Sequence, residues 1–412
     1  MPPDRSSDLS DWLRYLEHLH PVAIDLGLSR VAAVAERLSL LSVDPVIITV
    51  AGTNGKGSTV ALLESVYLSA GYSVGAYTSP HITEFNERIR INGEAAVDSV
   101  ITQALYRVEQ ARLPDSLTYF EHTTLGAMQA FVQHQLQVVI LEVGLGGRLD
   151  ATNIWDTDCA IVTSIALDHQ EYLGDNVSDI AVEKVSIGRR DRPMLIGESN
   201  PPLAMLERAS DVGMLVQLPE PSGQLKSALK GEHQQRNAAC VMAAVQALQC
   251  QLPVNPDTAL AALVDVRVPG RFETRQVDDR LVVLDVAHNP AAASALAETL
   301  RAEYPDRPVH AVCSMMADKD IVGVAAALHL NVSRWYCASV DVPRAAAVDE
   351  LVSKVLQGTG KEAKVRGFRS VTDAFMAALN SDEVKHSNGL VLIVGSFFTV
   401  SALQPSLQSG HT

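Results

Sequence analysis

Two series of short apolar segments, separated by helix-patterned stretches, run along the chain. In the first series the apolar run 46–50 is followed by a helical pattern over 58–70, which ends at Gly71, and by a second apolar run over 73–78. Further strands are predicted at 138–143, 160–165 and 193–196, and helices at 176–188 and 233–249. Because these strands are apolar throughout, they indicate a doubly wound parallel sheet that helices cover on both faces.

A second series of the same kind begins after the turn Pro269-Gly270. Its strands are predicted in the string LVVLDVAHNP and at 309–314, 335–338 and 389–395, with a helix over 290–303. A chain of 412 residues exceeds what one hydrophobic core usually serves. We therefore expect two α/β domains, 1–274 and a smaller 275–412, with a cleft between them. A surface loop is expected at 219–223, where proline, serine and glycine cluster.

The first strand-to-helix connection carries the string AGTNGKGS, which ends at Ser58. Its three glycines allow backbone N–H groups to converge on one anion, the helix N-terminus adds positive potential, and Lys56 supplies an ammonium for the outer phosphates. An ordinary tight turn would explain the glycines but not the lysine. In the commonest phosphate loop a Ser or Thr follows the lysine directly, whereas Gly57 intervenes here. The string therefore predicts a particular subset of phosphate-binding loops, with ATP as the ligand.

The composition narrows the class of protein. A formal net charge of -15 and a pI near 5.2 disfavour nucleic acid or an anionic membrane as the main partner, because both attract basic surfaces. The five cysteines are scattered and form no CxxC pair, so we expect small buried hydrophobic residues rather than disulfides or a zinc site. The N-terminus is polar, and no run of about 18 apolar residues occurs. These features predict a cytoplasmic protein.

Three polar residues follow predicted strands of the first series. Glu142 ends an apolar strand and precedes a glycine-rich turn, where an unpaired carboxylate would be costly to bury. Together with His169 after the next strand and Ser79 in the string YTSPH, it offers Mg²⁺ the oxygen and imidazole ligands that would leave room for phosphates. Spacing alone leaves an ordinary structural role for this set equally open.

Other charged residues have competing interpretations. Lys184 lies beside a glutamate in a predicted helix, a pattern that is by itself typical of a solvated face. Asp285 and His288 follow the first strand of the second series. They suit contacts with a ribose and a phosphate, or a proton relay, but a capped turn would use the same residue types.

A set of strings, in this order along nearly the whole chain, resembles the folylpolyglutamate synthase and dihydrofolate synthase family, relatives of the Mur peptide ligases. The strings are HPVAIDLGLSRV, TVAGTNGKGST, YTSPHITEFNERIRING, TYFEHTTLGAM, LEVGLGGRLDATNI, TSIALDHQEYLG, IAVEKVSIGR, GEHQQRNAA, PGRFE, LDVAHNP and VGSFFTV. The resemblance implies a P-loop ATPase domain followed by a smaller Rossmann-like α/β domain.

The resemblance also implies site residues. It places Gly55, Lys56, Gly57, Ser58, Asn237, Arg271 and Asp285 at ATP, Ser79, Glu142, His169 and Lys184 at metal, and Thr118, Tyr119, Phe120, Glu121, Leu149, Asp150 and Ala151 at dihydropteroate. Lys56, Lys184 and His288 would be catalytic. Asp150 would bind the amino-pyrimidine edge of the pterin, and Phe120 would stack on its ring. Lys184 would carry a CO2-derived carbamate, although its helix reads IAVEKVSI where the commonest family pattern is IAREKAGI.

The implied activity is ATP-dependent formation of an amide between dihydropteroate, or a folyl-glutamate, and L-glutamate through an acyl phosphate. Its cofactors would be ATP, Mg²⁺ at two sites and the carbamate, and a K⁺ requirement is left open. Its partners would be its small-molecule substrates, and the protein would be a monomer. One alternative is a folylpolyglutamate synthase only, although the string LDATN favours a dihydropteroate site.

Two further alternatives come from other classes of protein. A Mur ligase acting on a UDP-linked peptide would need an extra domain, and only about 45 residues precede the first strand. A nucleotide-controlled binding switch would not need the constellation of Thr118, Phe120 and Asp150. We therefore expect a ligase of folate biosynthesis and polyglutamylation.

Overall fold

The computed structural model describes residues 2–218, 227–386 and 388–408 and divides into two compact units. The first unit comprises Met1–Ala228 with Gln235–Val266, and the second comprises Leu229–Gln234 with Arg267–Thr412. Each unit is built around its own sheet. The loop expected at 219–223 lies outside the described residues.

The sheet of the first unit is mostly parallel. Its strands are β1(Val46–Ala51), β2(Val74–Tyr77), β3(Ile89–Ile91), β4(Glu94–Ala95), β5(Val138–Glu142), β6(Cys159–Val162), β7(Pro193–Ile196) and β8(Met214–Val216), in the order β4-β3-β2-β5-β1-β6-β7-β8. Only the pairs β2–β3 and β3–β4 are antiparallel among these strands. The central strands β1, β5 and β6 are buried almost throughout, as their apolar sequences predict.

Helices pack against this first sheet. The helices between the start of the chain and residue 266 are α1(Leu9–Glu17), α2(Ser29–Arg37), α3(Lys56–Ser69), α4(Asp98–Arg112), α5(Tyr119–Gln133), α6(Gln170–Leu173), α7(Val177–Val185), α8(Leu203–Val212), α9(Glu232–Ala247) and α10(Pro256–Ala262). One core cluster packs α1, α2, α4 and α5 around Trp12, Phe131 and Trp155. Another packs α7 and α8 against β6 and β7. In the described ranges no helix has the length and apolarity needed to span a membrane.

The second unit has a smaller sheet of the same kind. Its strands are β9(Glu273–Val277), β10(Arg280–Leu284), β11(Val309–Cys313), β12(Val332–Cys337), β13(Lys364–Gly367) and β14(Leu390–Val394), in the order β13-β12-β11-β14-β10-β9. Its helices are α11(Pro290–Glu303), α12(Ile321–Leu328), α13(Val348–Thr359), α14(Val371–Leu379), α15(Asp382–His386) and α16(Phe397–Gln408). Among these described strands, only β9 runs antiparallel to its neighbour, β10.

Several sequence predictions need correction in detail. Strand β6 ends at Val162 rather than at residue 165, and α3 begins at Lys56 rather than at residue 58. The antiparallel strands β3, β4 and β9 were not predicted, because they are short and carry polar residues. Cys250 is exposed, whereas the other four cysteines are buried as expected.

Candidate active site

The connection between β1 and α3 is held in shape by the segment that follows β6. The Thr53 backbone N–H donates to the carbonyl of Ser164 at 2.7 Å, and the Thr163 hydroxyl donates to the carbonyl of Asn54 at 2.6 Å. These bonds explain why β6 ends early, since its last predicted residues support the loop instead of extending the strand. The loop is therefore preorganised by the neighbouring strand end.

Gly55 and Lys56 define the anion-binding end of this loop. Gly55 is the N-cap of α3 with φ +91°, and a Cβ there would stand 2.9 Å from the side chain of Asn237, so only glycine fits. Because α3 begins at Lys56, the N–H groups of its first turn point toward the loop, where an anion can accept from them. The Lys56 ammonium donates to the carbonyls of Gly52 at 2.9 Å and Thr53 at 3.3 Å. It therefore lies against the loop.

Glu142 and Ser79 meet beside the phosphate loop. Glu142 ends β5 next to β1, is 5% exposed, and accepts a hydrogen bond from the Ser79 backbone N–H at 3.2 Å. Its Oε2 lies 3.8 Å from the position that a Cβ would occupy on Gly57. The carboxylate therefore faces the start of α3.

His169 lies at the N-terminus of α6, exposed and with φ +52°. That it joins Ser79 and Glu142 as a ligand stays a prediction. In the described part of the chain no group of three His, Cys, Asp or Glu side chains is placed to hold a metal. The Glu142 carboxylate at the start of α3 fits a divalent ion that takes further ligands from phosphate and water.

Lys184 is buried, and its interpretation as a solvated surface lysine is wrong. The residue is 5% exposed, and α7 also buries Ile180, Ala181 and Val185. Burial, with the positive charge of Lys56 nearby, lowers the pKa of Lys184 from 10.5 to about 7. The sequence pattern placed Lys184 next to a glutamate in a helix, which is typical of an exposed face. It could not show that another segment of the chain covers this turn of the helix.

The covering element is the glycine-rich turn after β5. A Cβ on Gly147 would stand 2.7 Å from the carbonyl oxygen of Glu183 and 3.0 Å from the Cα of Lys184, so the turn approaches α7 closely. The Arg148 N–H donates to the same carbonyl at 3.1 Å. Asp168 and Asp150 act on Lys184 in the opposite sense to burial, since their negative charges favour its ammonium. Asp168 was not among the predicted site residues.

The predicted dihydropteroate residues form two adjoining stretches. Thr118 caps α5, its hydroxyl accepting from the Glu121 N–H at 3.2 Å while the Glu121 carboxylate accepts from the Thr118 N–H at 2.8 Å. A Cβ on Gly144 would lie 2.5 Å from the Cζ of Phe120, so the Phe120 ring packs directly against Gly144. This contact joins the stretch around Thr118 to the turn after β5. Tyr119 and Leu149 are half-buried and Ala151 is buried, so part of the surface of both stretches is accessible.

Asp150 is already saturated with hydrogen bonds from its own turn. Its two oxygens accept from the N–H groups of Gly144 at 3.1 Å, Leu145 at 2.9 Å and Thr152 at 2.9 Å, and from the Thr152 hydroxyl at 2.6 Å. Burial raises its pKa above the usual 3.8, and these four bonds oppose that shift. In this structure Asp150 orders the turn, and its contact with the pterin stays a prediction.

Three predicted residues of the second unit cluster at the carboxyl end of β10. Asp285 is buried and accepts from the N–H groups of Phe272 at 2.9 Å and Ala287 at 2.8 Å, and burial raises its pKa while Arg271 opposes the rise. The Arg271 guanidinium lies 5.1 Å from the Phe397 ring, and the His288 ring lies 6.4 Å from the same ring. The carboxyl ends of such strands are where α/β sheets bind ligands.

Comparison with known proteins identifies the family. The Mur ligase middle domain matches residues 50–196, and the Mur ligase, glutamate ligase domain matches residues 270–397. The dihydrofolate synthase/folylpolyglutamate synthase of Escherichia coli (strain K12) is 42% identical over 415 residues, which cover 97% of this chain and 95% of that protein. The chain belongs to the dihydrofolate synthase/folylpolyglutamate synthase family. The resemblance drawn from the sequence strings is confirmed, as is the class of enzyme, an ATP-dependent amide ligase.

Solved structures of the family have the same fold. E. coli FolC in complex with DHPP and ADP has a TM-score of 0.91 and 39% identity, with 100% of each chain covered. A bifunctional folylpolyglutamate synthase/dihydrofolate synthase with Mn, AMPPNP and L-glutamate bound has a TM-score of 0.88 and 38% identity, with 99% of this chain and 100% of the other covered. The predicted α/β fold class, a phosphate-loop domain followed by a smaller α/β domain, is therefore confirmed.

Proposed function

We propose that the chain joins the carboxylate of dihydropteroate, and that of folyl-glutamates, to the amino group of L-glutamate with ATP as the energy source. The observation that carries the proposal is the match over the full chain to a structure whose ligands are DHPP and ADP. Within this chain, the Gly55–Lys56 loop and the neighbouring Glu142–Ser79 pair support it. Both activities are proposed, rather than polyglutamylation alone.

The reaction proceeds in two bond-forming steps. A carboxylate is a poor electrophile, so its oxygen first attacks the γ-phosphorus of ATP, forming an acyl phosphate and releasing ADP. The neutral amine of glutamate then attacks the acyl carbon, forming the amide as the bond from the acyl carbon to the phosphate oxygen breaks, and phosphate and one proton are released. Two anions meet in the first step, and the N–H groups at the start of α3 together with Lys56 stabilise the charge that spreads over the γ-phosphoryl oxygens.

A divalent ion would be held by Ser79, Glu142 and His169 together with phosphate and water oxygens. When bound, it supplies positive charge that neutralises the phosphates and orients them. The carboxylate of Glu142 facing Gly57 supports this assignment.

Lys184 is proposed to carry a carbamate that holds a second divalent ion. The neutral amine adds to the carbon of CO2, forming the N–C bond, and loses one proton. A side chain that carries a positive charge as an ammonium then carries a negative charge as a carbamate. A pKa lowered to about 7 supports this, because much of the amine is then neutral at physiological pH. An unmodified amine at adequate CO2, shown by intact-mass measurement and by electron density, would contradict it.

The remaining predicted residues are proposed to hold the two organic substrates. Thr118–Glu121 and Leu149–Ala151 would receive the pterin, with Phe120 as the stacking ring; the contact between Phe120 and Gly144 supports a common site. Asn237, Arg271 and Asp285 would contact the nucleotide. His288 would contact a phosphate or relay a proton.

A coupled ADP-release assay of the purified protein tests the proposed function. Dihydropteroate and, separately, tetrahydrofolate are supplied with and without L-glutamate, in K⁺ and in Na⁺ buffers. We expect ADP release to require both an acid substrate and glutamate. Glutamate-dependent turnover with tetrahydrofolate but not with dihydropteroate would show that the protein is a folylpolyglutamate synthase only. ATP hydrolysis at the same rate with and without the acid substrate and glutamate would indicate a nucleotide-controlled switch.

A further inference from the structure

Arg88 follows a tightly bonded turn between β2 and β3. The Glu87 carboxylate accepts from three backbone N–H groups, those of Ile82, Thr83 and Glu84, at 2.7 to 2.8 Å. The Thr78 N–H donates to the carbonyl of Arg88 at 2.9 Å. The backbone that carries Arg88 is therefore well anchored, and the neighbouring carboxylate of Glu87 is engaged with the backbone rather than with the arginine.

The Arg88 side chain lies between two aromatic rings. Its Cζ is 5.6 Å from the ring centroid of Phe85 and 5.6 Å from that of Tyr119. Its Nε donates to the Nδ1 of His81 at 2.9 Å, and burial together with the arginine charge lowers the pKa of His81 to about 4, so this histidine accepts as a neutral ring. The structure records no carboxylate paired with Arg88 among the described residues, and the Nη1 and Nη2 donors of this half-buried cation remain available.

The position of Arg88 relates it to two parts of the site. Tyr119, which contacts its guanidinium, belongs to the stretch proposed to receive the pterin. In the other direction, the carbonyl of Arg88 accepts the hydrogen bond from Thr78, the residue before Ser79. The backbone N–H of Ser79 in turn donates to Glu142 beside the phosphate loop. An acid substrate that reaches from the pterin stretch toward the phosphate loop would pass this guanidinium.

We propose that Arg88 binds the carboxylate of dihydropteroate, before that carboxylate is phosphorylated; the inference rests on the proposed function and adds a carboxylate site to it. The two Nη donors match a carboxylate in fork geometry. Phe85 and Tyr119 flank the guanidinium with apolar surface that suits the aminobenzoyl ring next to this carboxylate. In a chain with a net charge of -15, an anionic substrate needs such a local cation.

A binding cycle tests the inference directly. The ligands are dihydropteroate and the same molecule with hydrogen in place of the carboxylate, and the proteins are the wild type and Arg88→Gln, all without nucleotide. In the wild type we expect removal of the carboxylate to weaken binding by about 10- to 100-fold, the range for hydrogen bonds to charged groups. In Arg88→Gln the two ligands should bind with nearly equal affinity.

Controls separate this role from general support of the turn. Arg14→Gln removes the same charge from an exposed arginine and should behave as the wild type. ADP binding and the affinity for the carboxylate-free ligand should be unchanged in Arg88→Gln, and Arg88→Lys should retain part of the carboxylate effect.

Three results would overturn the inference. An equal carboxylate effect in the wild type and in Arg88→Gln would show that another group binds it. If Arg88→Gln bound both pterin ligands and ADP more weakly by the same factor, Arg88 would only support the structure of the turn. Tetrahydrofolate is measured in parallel, and if Arg88→Gln weakened its binding but not that of dihydropteroate, Arg88 would be assigned to a glutamyl carboxylate instead. If wild-type protein bound no dihydropteroate at all, the proposed function itself would fail as well.

Discussion

At the scale of single residues, the first unit buries several ionisable groups around the phosphate loop. Lys184, Asp150 and Glu142 are each at most 5% exposed. Removing a charge from water is costly unless another charge or several hydrogen bonds compensate. Asp150 has that compensation from its own turn, whereas Lys184 lies near Lys56, a charge of the same sign. The negative charges of Asp168 and Asp150 oppose the pKa shift of Lys184 only in part, so burial and Lys56 still favour its neutral amine, the form that the proposed carbamate requires.

Replacing Lys56 should remove activity and leave the fold intact. The Lys56→Ala variant loses the ammonium that lies against the loop, so we expect glutamate-dependent ADP release to fall by more than about 100-fold. Far-UV circular dichroism and the melting temperature should match the wild type. Turnover within a factor of a few of the wild type would refute the role assigned to Lys56.

Replacing Lys184 with methionine should stabilise the protein while abolishing its activity. The folded pKa of Lys184 is about 7 and its ordinary value 10.5, so between these values the unfolded chain binds more protons and the stability of the wild type rises with pH. In CO2-free buffer at pH 7 we expect Lys184→Met to be more stable by roughly 1–4 kcal/mol, with the difference shrinking toward pH 10. Urea unfolding across this range measures it.

The exposed Lys361→Met is the matched control and should show no such pH trend. Added bicarbonate should raise the activity of the wild type and leave that of Lys184→Met at zero. A Lys184→Met variant that is less stable than the wild type at pH 7 would mean that Asp168 and Asp150 compensate the burial of the ammonium in full.

At the scale of elements, the N-terminus of α5 is joined to the first turn of α2 and to the segment that precedes α2. Arg30 donates to the Glu121 carboxylate at 3.0 Å and pairs with Asp25 at 2.7 Å, while Glu121 also closes the capping box with Thr118. His20 extends the network to Asp25 at 3.2 Å. A contact far apart in sequence thus holds the start of the helix that carries Tyr119 and Phe120.

Removing Arg30 should weaken both the fold and the proposed pterin site. Arg30→Met leaves the buried Glu121 without its cationic partner, so we expect a loss of about 1.5–3 kcal/mol in unfolding free energy. Relative to the wild type, the KM for dihydropteroate should rise more than the KM for ATP. Arg14→Met, at an exposed arginine, should change neither.

The double variant Arg30→Met/Glu121→Gln should recover part of the lost stability, because it also removes the unpaired charge. Strict additivity of the two substitutions would show that the ion pair contributes nothing.

At the scale of the whole molecule, the chain is acidic, yet its first unit depends on a buried ion cluster between α1, α4 and α5. Arg112 donates to both oxygens of Glu109 at 2.6 and 2.9 Å, and the Tyr15 hydroxyl donates to Glu109 at 3.0 Å. Burial alone would raise the pKa of Glu109, but the contacts with His122 and Arg112 lower it to about 2. Burial lowers the pKa of His122 below its ordinary 6.5, so the folded chain takes up this proton at a lower pH than the unfolded chain does.

Acid should therefore destabilise the folded protein in two ranges. As the pH falls below 6.5, the unfolded chain protonates His122 before the folded chain does, and below 4.5 the contribution of Glu109 is lost as the pH approaches 2. Glu109→Gln should be about 3 kcal/mol less stable at pH 7, with the gap closing below pH 4.5. Unfolding midpoints of both proteins against pH measure this, and parallel curves would contradict it.

Local signals in the amino-acid sequence determined most of the architecture and the phosphate loop. Apolar runs such as β5 and the glycines around Lys56 act over a few residues, so they are readable without any knowledge of neighbours. Short polar strands such as β9 carry no such signal, because their place in a sheet depends on the partner strand. Tertiary structure alone decided that Lys184 is covered, that the hydrogen-bonding capacity of Asp150 is used by its own turn, and that Arg88 lies against Tyr119. Burial and charge proximity arise from residues distant in sequence, and no local pattern encodes them.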